Sequence, residues 1–526
     1  MRVSTAILIL CAAPAMAQAP LSAIDWLNQS QTTAPQALGS PLNQPQIARP
    51  ALPMPGLPLN EPPTASSITI PDVEVQPLGA PNPEAVGLLP MQVTGLPLGL
   101  WKASDVPTLL ELIAAVDPAV PSLSALLHTL LLAEADAPLT AQQGTPLLAA
   151  RLDRLMAQGV VEPAEALIER AGATTPELFK RWFDITLLTG HENAPCEALA
   201  EQPSLSQDLG TRVFCTARTG DWIVAATVLD TGQALGTLSD RDADLLARFL
   251  DPELAEARTS LNPPARPSPL EFRLFQAIGE PLATAPLPRA FATVDLSGDS
   301  GWKAQLDAAE RLARVGAISE NRLLGIYTQR KRAASGGIWD RVEALQEFDT
   351  AMTTDDPSAI GAALIKVWPQ MRSAGLLVPF ANLYGARLLS FDLTGRAQDM
   401  ARKAALLSPD YESAALQIKT TTPEFEFLAA IARGRASQAT PDQAQDQAIA
   451  AAFGNAAPPD ALQTQLDEGR LGEVILRAIA LFSSGADGNT ADLTDALATL
   501  RAVGLEDTAR RAALELVILT GEGARR

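Results

Sequence analysis

An all-α fold, a superhelical array of helical hairpins behind a proline-rich extended segment, is predicted by three features of this 526-residue chain. Helix starts recur as capping residue, proline, acid: Thr175-Pro176-Glu177, Ser408-Pro409-Asp410, Thr422-Pro423-Glu424 and Thr440-Pro441-Asp442. The first side chain satisfies free N–H groups, proline suits the first helical position, and the acid faces the positive end of the helix dipole. Helix stops are equally regular: Gly159, Gly236, Gly316, Gly375 and Gly504 each follow an amphipathic run and suit the left-handed conformation that ends a helix. Finally, helices separated by short turns continue from Trp101 to the C-terminus with no convincing sheet pattern.

Residues 1–17 read as a cleavable signal peptide. Arg2 supplies the positive charge, Ala6 to Ala13 the short apolar stretch, and Ala15-Met16-Ala17 a small-x-small site that cuts between Ala17 and Gln18. Leu10 stands before Cys11 where a lipoprotein signal wants a small residue, so lipidation is not expected. No later segment is apolar and long enough to span a bilayer, so the cleaved chain should carry no integral membrane segment and reside in the periplasm or outside the cell. Residues 18–32 hold a short amphipathic helix in which Ile24, Trp26 and Leu27 crowd one side, a candidate docking element. Fifteen prolines among residues 33–100 mark 33–101 as a linker sampling extended states, interrupted by the strand-like run Ile68 to Val75. Its last part, Val86 to Trp101, is apolar enough to lie against the body.

Residues 102–526 are the predicted helical-repeat domain, with a sub-boundary near 258–300. Two echoes support a repeated unit. Arg154 to Ala164 and Arg311 to Asn321 share Arg-Leu, three residues, Gly, then an apolar residue two places on. Ala217 to Ala226 and Ala334 to Ala344 each set glycine and tryptophan at a helix start, and both Trp222 and Trp339 are expected to plug hairpin interfaces.

The stretch Val378 to Tyr411 resembles a single tetratricopeptide repeat. With Pro409 on the repeat's terminal proline, Gly385, Ala397 and Ala404 fall on its small-residue positions, whereas Leu388 and Ala401 stand where large aromatics are usual. The resemblance covers 34 residues and implies a helical hairpin and, as family activity, scaffolding in which peptides lie in a groove. AIDWLNQS near the mature start and EAVGLLPMQVTGLPLGLW ahead of the helices are similar to a group of exported alphaproteobacterial proteins of uncharacterised activity, some labelled antifreeze-glycopeptide-related. That label implies regular sugar-bearing Ala-Ala-Thr units, and the sequence holds no run of them.

The formal charge of −20 repels nucleic acid and anionic lipid, so neither is an expected partner. An unidentified envelope protein or peptide is. Losing Cys11 with the signal leaves Cys196 and Cys215, expected to pair in an oxidising compartment as a clamp between two helices. Only His128 and His191 exist in the chain, so no metal site or cofactor is expected.

No catalytic residue is assigned. Gly298-Asp299-Ser300-Gly301 resembles the nucleophile segment of chymotrypsin-like proteases, which implies a serine nucleophile with a histidine base; the competing expectation is that Asp299 or Ser300 caps the helix from Trp302. His128 lies in a strongly apolar helix and is expected at the edge of the core, and His191 in a surface turn. Acid pairs such as Asp355-Asp356 and Glu253-Glu256 have the spacing a glycosidase could use, but 60 acids produce such pairs by chance. The favoured function is a non-catalytic exported scaffold; the alternatives are a wall-active or other hydrolytic enzyme and an envelope structural protein.

Overall fold

A computed structural model describes residues 82–523 apart from 141–143, 258, 298 and 420–421. The signal site at Ala17 and Gln18, the docking residues Ile24, Trp26 and Leu27, and the strand-like run at 68–75 lie outside the described residues. Within them the chain is all-α, with 26 α-helices, a few 3₁₀ turns and one isolated bridge, Leu89 with Ala133.

The first helices are α1 (Met91–Thr94), α2 (Val106–Ala115), α3 (Pro121–Leu132), α4 (Pro146–Gln158), α5 (Val161–Ala171) and α6 (Pro176–Thr189). Then come α7 (Asn193–Glu201), α8 (Leu209–Arg218), α9 (Trp222–Ala234), α10 (Asp240–Leu250), α11 (Pro252–Ala257) and α12 (Pro269–Ala277). The middle of the chain forms α13 (Ala292–Asp295), α14 (Trp302–Ala313), α15 (Glu320–Thr328), α16 (Ile338–Thr354), α17 (Pro357–Ser373), α18 (Leu377–Leu388) and α19 (Gly395–Leu407). The last helices are α20 (Tyr411–Gln417), α21 (Pro423–Ala432), α22 (Ala444–Ala452), α23 (Asp460–Asp467), α24 (Leu471–Ala486), α25 (Thr490–Ala502) and α26 (Glu506–Gly521).

Consecutive helices pack on each other along most of the chain, as in α8 with α9, α16 with α17, α18 with α19 and α24 with α25. The run then returns to its start, because α26 packs on α3 and α24 on α2. Two buried carboxylates tie distant parts of the chain together, one of them at the junction of α26 with α3. Glu515 on α26 accepts from the N–H and hydroxyl of Ser122 at the start of α3, both at 2.8 Å. Glu84 accepts from the N–H groups of Leu147 and Leu148 at the start of α4, at 3.0 and 3.1 Å. Both helices begin with proline and lack a side-chain cap of their own, so a distant glutamate supplies it.

Residues 82–101 belong to the body. Leu100 and Trp101 are fully buried, and fully buried Arg151 donates to the carbonyls of Leu131, Ala133 and Val86, fastening this stretch to the end of α3.

All five predicted glycine stops have positive φ. At Gly159 the reason is double: φ is 80°, and a Cβ would stand 2.6 Å from Leu312 and 2.9 Å from Arg289. Of the four proline starts, Thr175 and Thr422 cap as expected. At Ser408 the hydroxyl accepts from Asp410 N–H within a turn and the helix begins later, at Tyr411; after Thr440 the helix begins only at Ala444. The stretch resembling a tetratricopeptide repeat is a helical hairpin, α18 and α19, where a Cβ on Gly385 would meet the carbonyl oxygen of Ala404 at 2.5 Å.

A second, separate apolar core runs from Phe179 to Phe275, formed by α6 to α10 and α12.

Candidate interaction site

The second core is built around the pair Cys196 and Cys215, which form a disulfide with Cα atoms 4.8 Å apart, joining α7 to α8 as the sequence predicts. Phe214 on α8 packs on Phe183 at 5.9 Å and on Phe249 of α10 at 5.5 Å between ring centroids. Helix α9 lies on this platform. Asp221 caps it by accepting from Val224 N–H at 3.2 Å, and Ala225, Leu229 and Gly232 face inward. A Cβ on Gly232 would come within 2.7 Å of Leu209, so the helix sits close to its support.

The outward face of α9 departs from the usual amphipathic pattern. Ile223 is 81 % exposed, Leu235, just past the end of α9, 72 %, Trp222 48 % and Val224 46 %. Val224, Thr227, Thr231 and Leu235 recur at three-, four- and four-residue steps, which places them on one outward stripe beside Ile223, while Val228 next to them is half-buried against the second core. The two threonines add little polarity, since Thr227 donates to Ile223 O at 2.8 Å and Thr231 to Thr227 O at 2.7 Å. Clustered exposed aliphatic and aromatic side chains of this kind mark interaction sites, whereas isolated ones do not. Acids border the stripe: Asp221 at its start, Asp230 within the helix, and Asp240 after it are all exposed.

Trp222 was expected to plug a hairpin and does not; it leans on Phe249 at 6.0 Å and keeps half its surface exposed. Trp339 does pack inward, 5.2 Å from Trp302. The clue to the α9 stripe is legible afterwards in the run WIVAATVL, which is apolar on more sides than one buried face requires.

The candidate catalytic groups are not assembled. Ser300 donates its hydroxyl to Asp295 at 2.7 Å, and no hydrogen bond joins it to an imidazole among the described residues. Neither Asp299 nor Ser300 caps α14, whose N-cap is Gly301 with no side-chain bond; Gln305 instead donates to the Ser300 carbonyl at 2.7 Å. His128 is buried in α3 with Nε2 unpaired, and burial together with Arg154 and Arg289 lowers its pKa to about 4. Exposed His191 has Nδ1 2.7 Å from Glu165.

Among the acid pairs, Asp355 adopts φ 53° at the end of α16 and pairs with Arg387 at 2.9 Å, while Asp356 caps α17. Both are committed to that turn. Glu253 opens the short helix α11. No cluster of potential metal ligands occurs among the described residues, and no helix among them is long and apolar enough to cross a membrane. Compared with protein-family models, curated proteins and solved structures, the chain finds no match.

Proposed function

We propose that this protein is an exported, non-catalytic helical-repeat scaffold that binds another envelope protein or peptide through the exposed stripe of α9. The observation that supports this is the exposure of Trp222, Ile223, Val224 and Leu235 on and just past one helix, where most other large apolar side chains among the described residues are buried. The acids around the stripe and the net charge of −20 favour an apolar segment flanked by basic residues. The disulfide suits a scaffold working in an oxidising compartment, where a covalent clamp keeps the platform under α9 in place.

The test uses a labelled model peptide, helical repeats of leucine and lysine, titrated against the full chain by fluorescence anisotropy. Saturable binding should weaken by about tenfold or more in Ile223→Asp/Leu235→Asp, and salt should weaken it further. Equal binding by chain and variant overturns the assignment of the site. Photo-crosslinking from position 223 in periplasmic extract then identifies the physiological partner, which must also lose binding in the double variant.

A further inference from the structure

A cleft of about 370 Å³ opens where four distant parts of the chain meet: the start of α3, the end of α14, the end of α17 and the end of α26. One side is apolar, from Ala119, Val120, Pro121 and Leu519; the other presents Arg314 and Arg372 beside Gly375. Among the described residues no carboxylate lines it, in a protein with 60 acids and 40 basic residues.

The nearby acids are already engaged. Glu310 accepts from Tyr327 at 2.6 Å and from Arg341 at 2.7 and 2.9 Å, and Glu522 accepts from Lys403 at 3.0 Å and Trp368 at 3.1 Å. Glu515 caps Ser122 beneath the apolar wall. The two arginines differ in freedom. Arg314 is fixed by donating through Nε to Ala374 O at 2.6 Å, at the negative end of α17, and through Nη2 to Glu310 at 3.4 Å, and its side chain stays 44 % exposed. Arg372 reaches Glu522 only at 3.7 Å and is 41 % exposed.

We infer that this cleft binds a small amphiphilic carboxylate, its head held by Arg314 and Arg372 and its apolar body against Val120, Pro121 and Leu519. Guanidinium groups match a carboxylate in planar, two-bond geometry, and the volume lies in the range of small-molecule sites, about 300–1,000 Å³. The N-terminus of α3 does not contribute: proline has no N–H and Ser122 is taken. Binding therefore depends on the arginines. This inference stands apart from the proposed role of α9, which lies on the second core.

Isothermal titration of the full chain with octanoate tests it, with methyl octanoate and acetate as the neutral and tail-less comparisons. Octanoate should bind at one saturable site, acetate more weakly, and methyl octanoate not at all. Arg372→Ala should weaken octanoate by about tenfold. Should Arg372→Ala fail to fold by circular dichroism, Arg314→Lys, which keeps the charge but loses the planar fork, serves in its place and should also weaken binding. Absence of saturable octanoate binding, equal binding of the ester, or binding unchanged in the folded variants overturns the inference.

Discussion

Glu515 accepts two hydrogen bonds from Ser122, a residue 393 positions earlier, and so joins the last helix to the first turn of α3. Complete burial raises its pKa to about 7, against the lowering effect of those bonds and of Arg511. Glu84 is raised to about 7 in the same way, by burial, while its two backbone partners and Arg151 oppose.

These two carboxyls make stability depend on pH. In the unfolded chain each loses its proton near 4.5, in the folded chain near 7. Between those values the folded state holds more protons, so stability falls as pH rises through the window, with a slope approaching about 1.4 kcal/mol per pH unit from each group. Above 7 the loss is complete. Glu515→Gln should remove half of this slope, which urea midpoints measured from pH 5 to 8 will show.

Arg151 gives a second outcome. Its bonds to the Leu131 and Ala133 carbonyls are buried and that to Val86 is part-buried, and it offsets the charge of Glu84. Arg151→Met leaves these acceptors unpaired and should cost about 3–5 kcal/mol. It should also release residues 82–89 first, so limited proteolysis will cut there before the helices.

Gly385→Ala tests the close approach of α18 and α19. The added methyl meets the backbone of Ala404, which cannot swing aside, and should cost about 1–3 kcal/mol in thermal or urea unfolding. Gly301→Ala, with open space around it, is the comparison and should change little.

Much of the fold was legible because helix punctuation is local. The glycine stops and the threonine caps at Thr175 and Thr422 depend on neighbours within four residues. Ser408 and Thr440 carry the same signal, but Ser408 Oγ is engaged by the Ala405 carbonyl at the end of α19 and by Asp410 N–H, and the helices start later, at Tyr411 and Ala444. The disulfide was readable from the expectation that Cys11 leaves with a signal peptide, which leaves Cys196 and Cys215 as one pair. Glu84, Arg151 and Glu515 were not readable: each looks like one more charged residue on a helix, and its burial depends on a partner from 18 to 393 positions away. The stripe on α9 was hidden for the opposite reason, since an apolar run predicts burial and here part of it faces outward.

The disulfide predicts a redox-dependent platform. Its closed loop, with a separation of 19 residues, should contribute about 3 kcal/mol in the chain-entropy model. Cys196→Ser/Cys215→Ser, or reduction of the native chain, should lower the unfolding midpoint and increase amide exchange first in α7 to α9. Exchange that rises equally in α24 and α25, which belong to the other core, would contradict a local clamp.

His128 separates a structural from a catalytic role. Its ring is buried and unpaired at Nε2, with a folded pKa near 4 against 6.5 unfolded. The unfolded state then binds the extra proton, so this group contributes stability above pH 6.5 that is lost as pH falls toward 4. Between about pH 6.5 and 4.5 this loss offsets about half of the gain from Glu84 and Glu515, so stability still rises as pH falls, but less steeply. His128→Leu removes the acid-side loss: acid unfolding should move to lower pH, while stability at pH 8 changes little because a neutral buried ring is replaced by an apolar side chain. A hydrolytic enzyme using His128 as base would instead lose its activity in this variant, so assays of esterase and peptidoglycan hydrolysis on the native chain and on His128→Leu distinguish the two roles in one experiment.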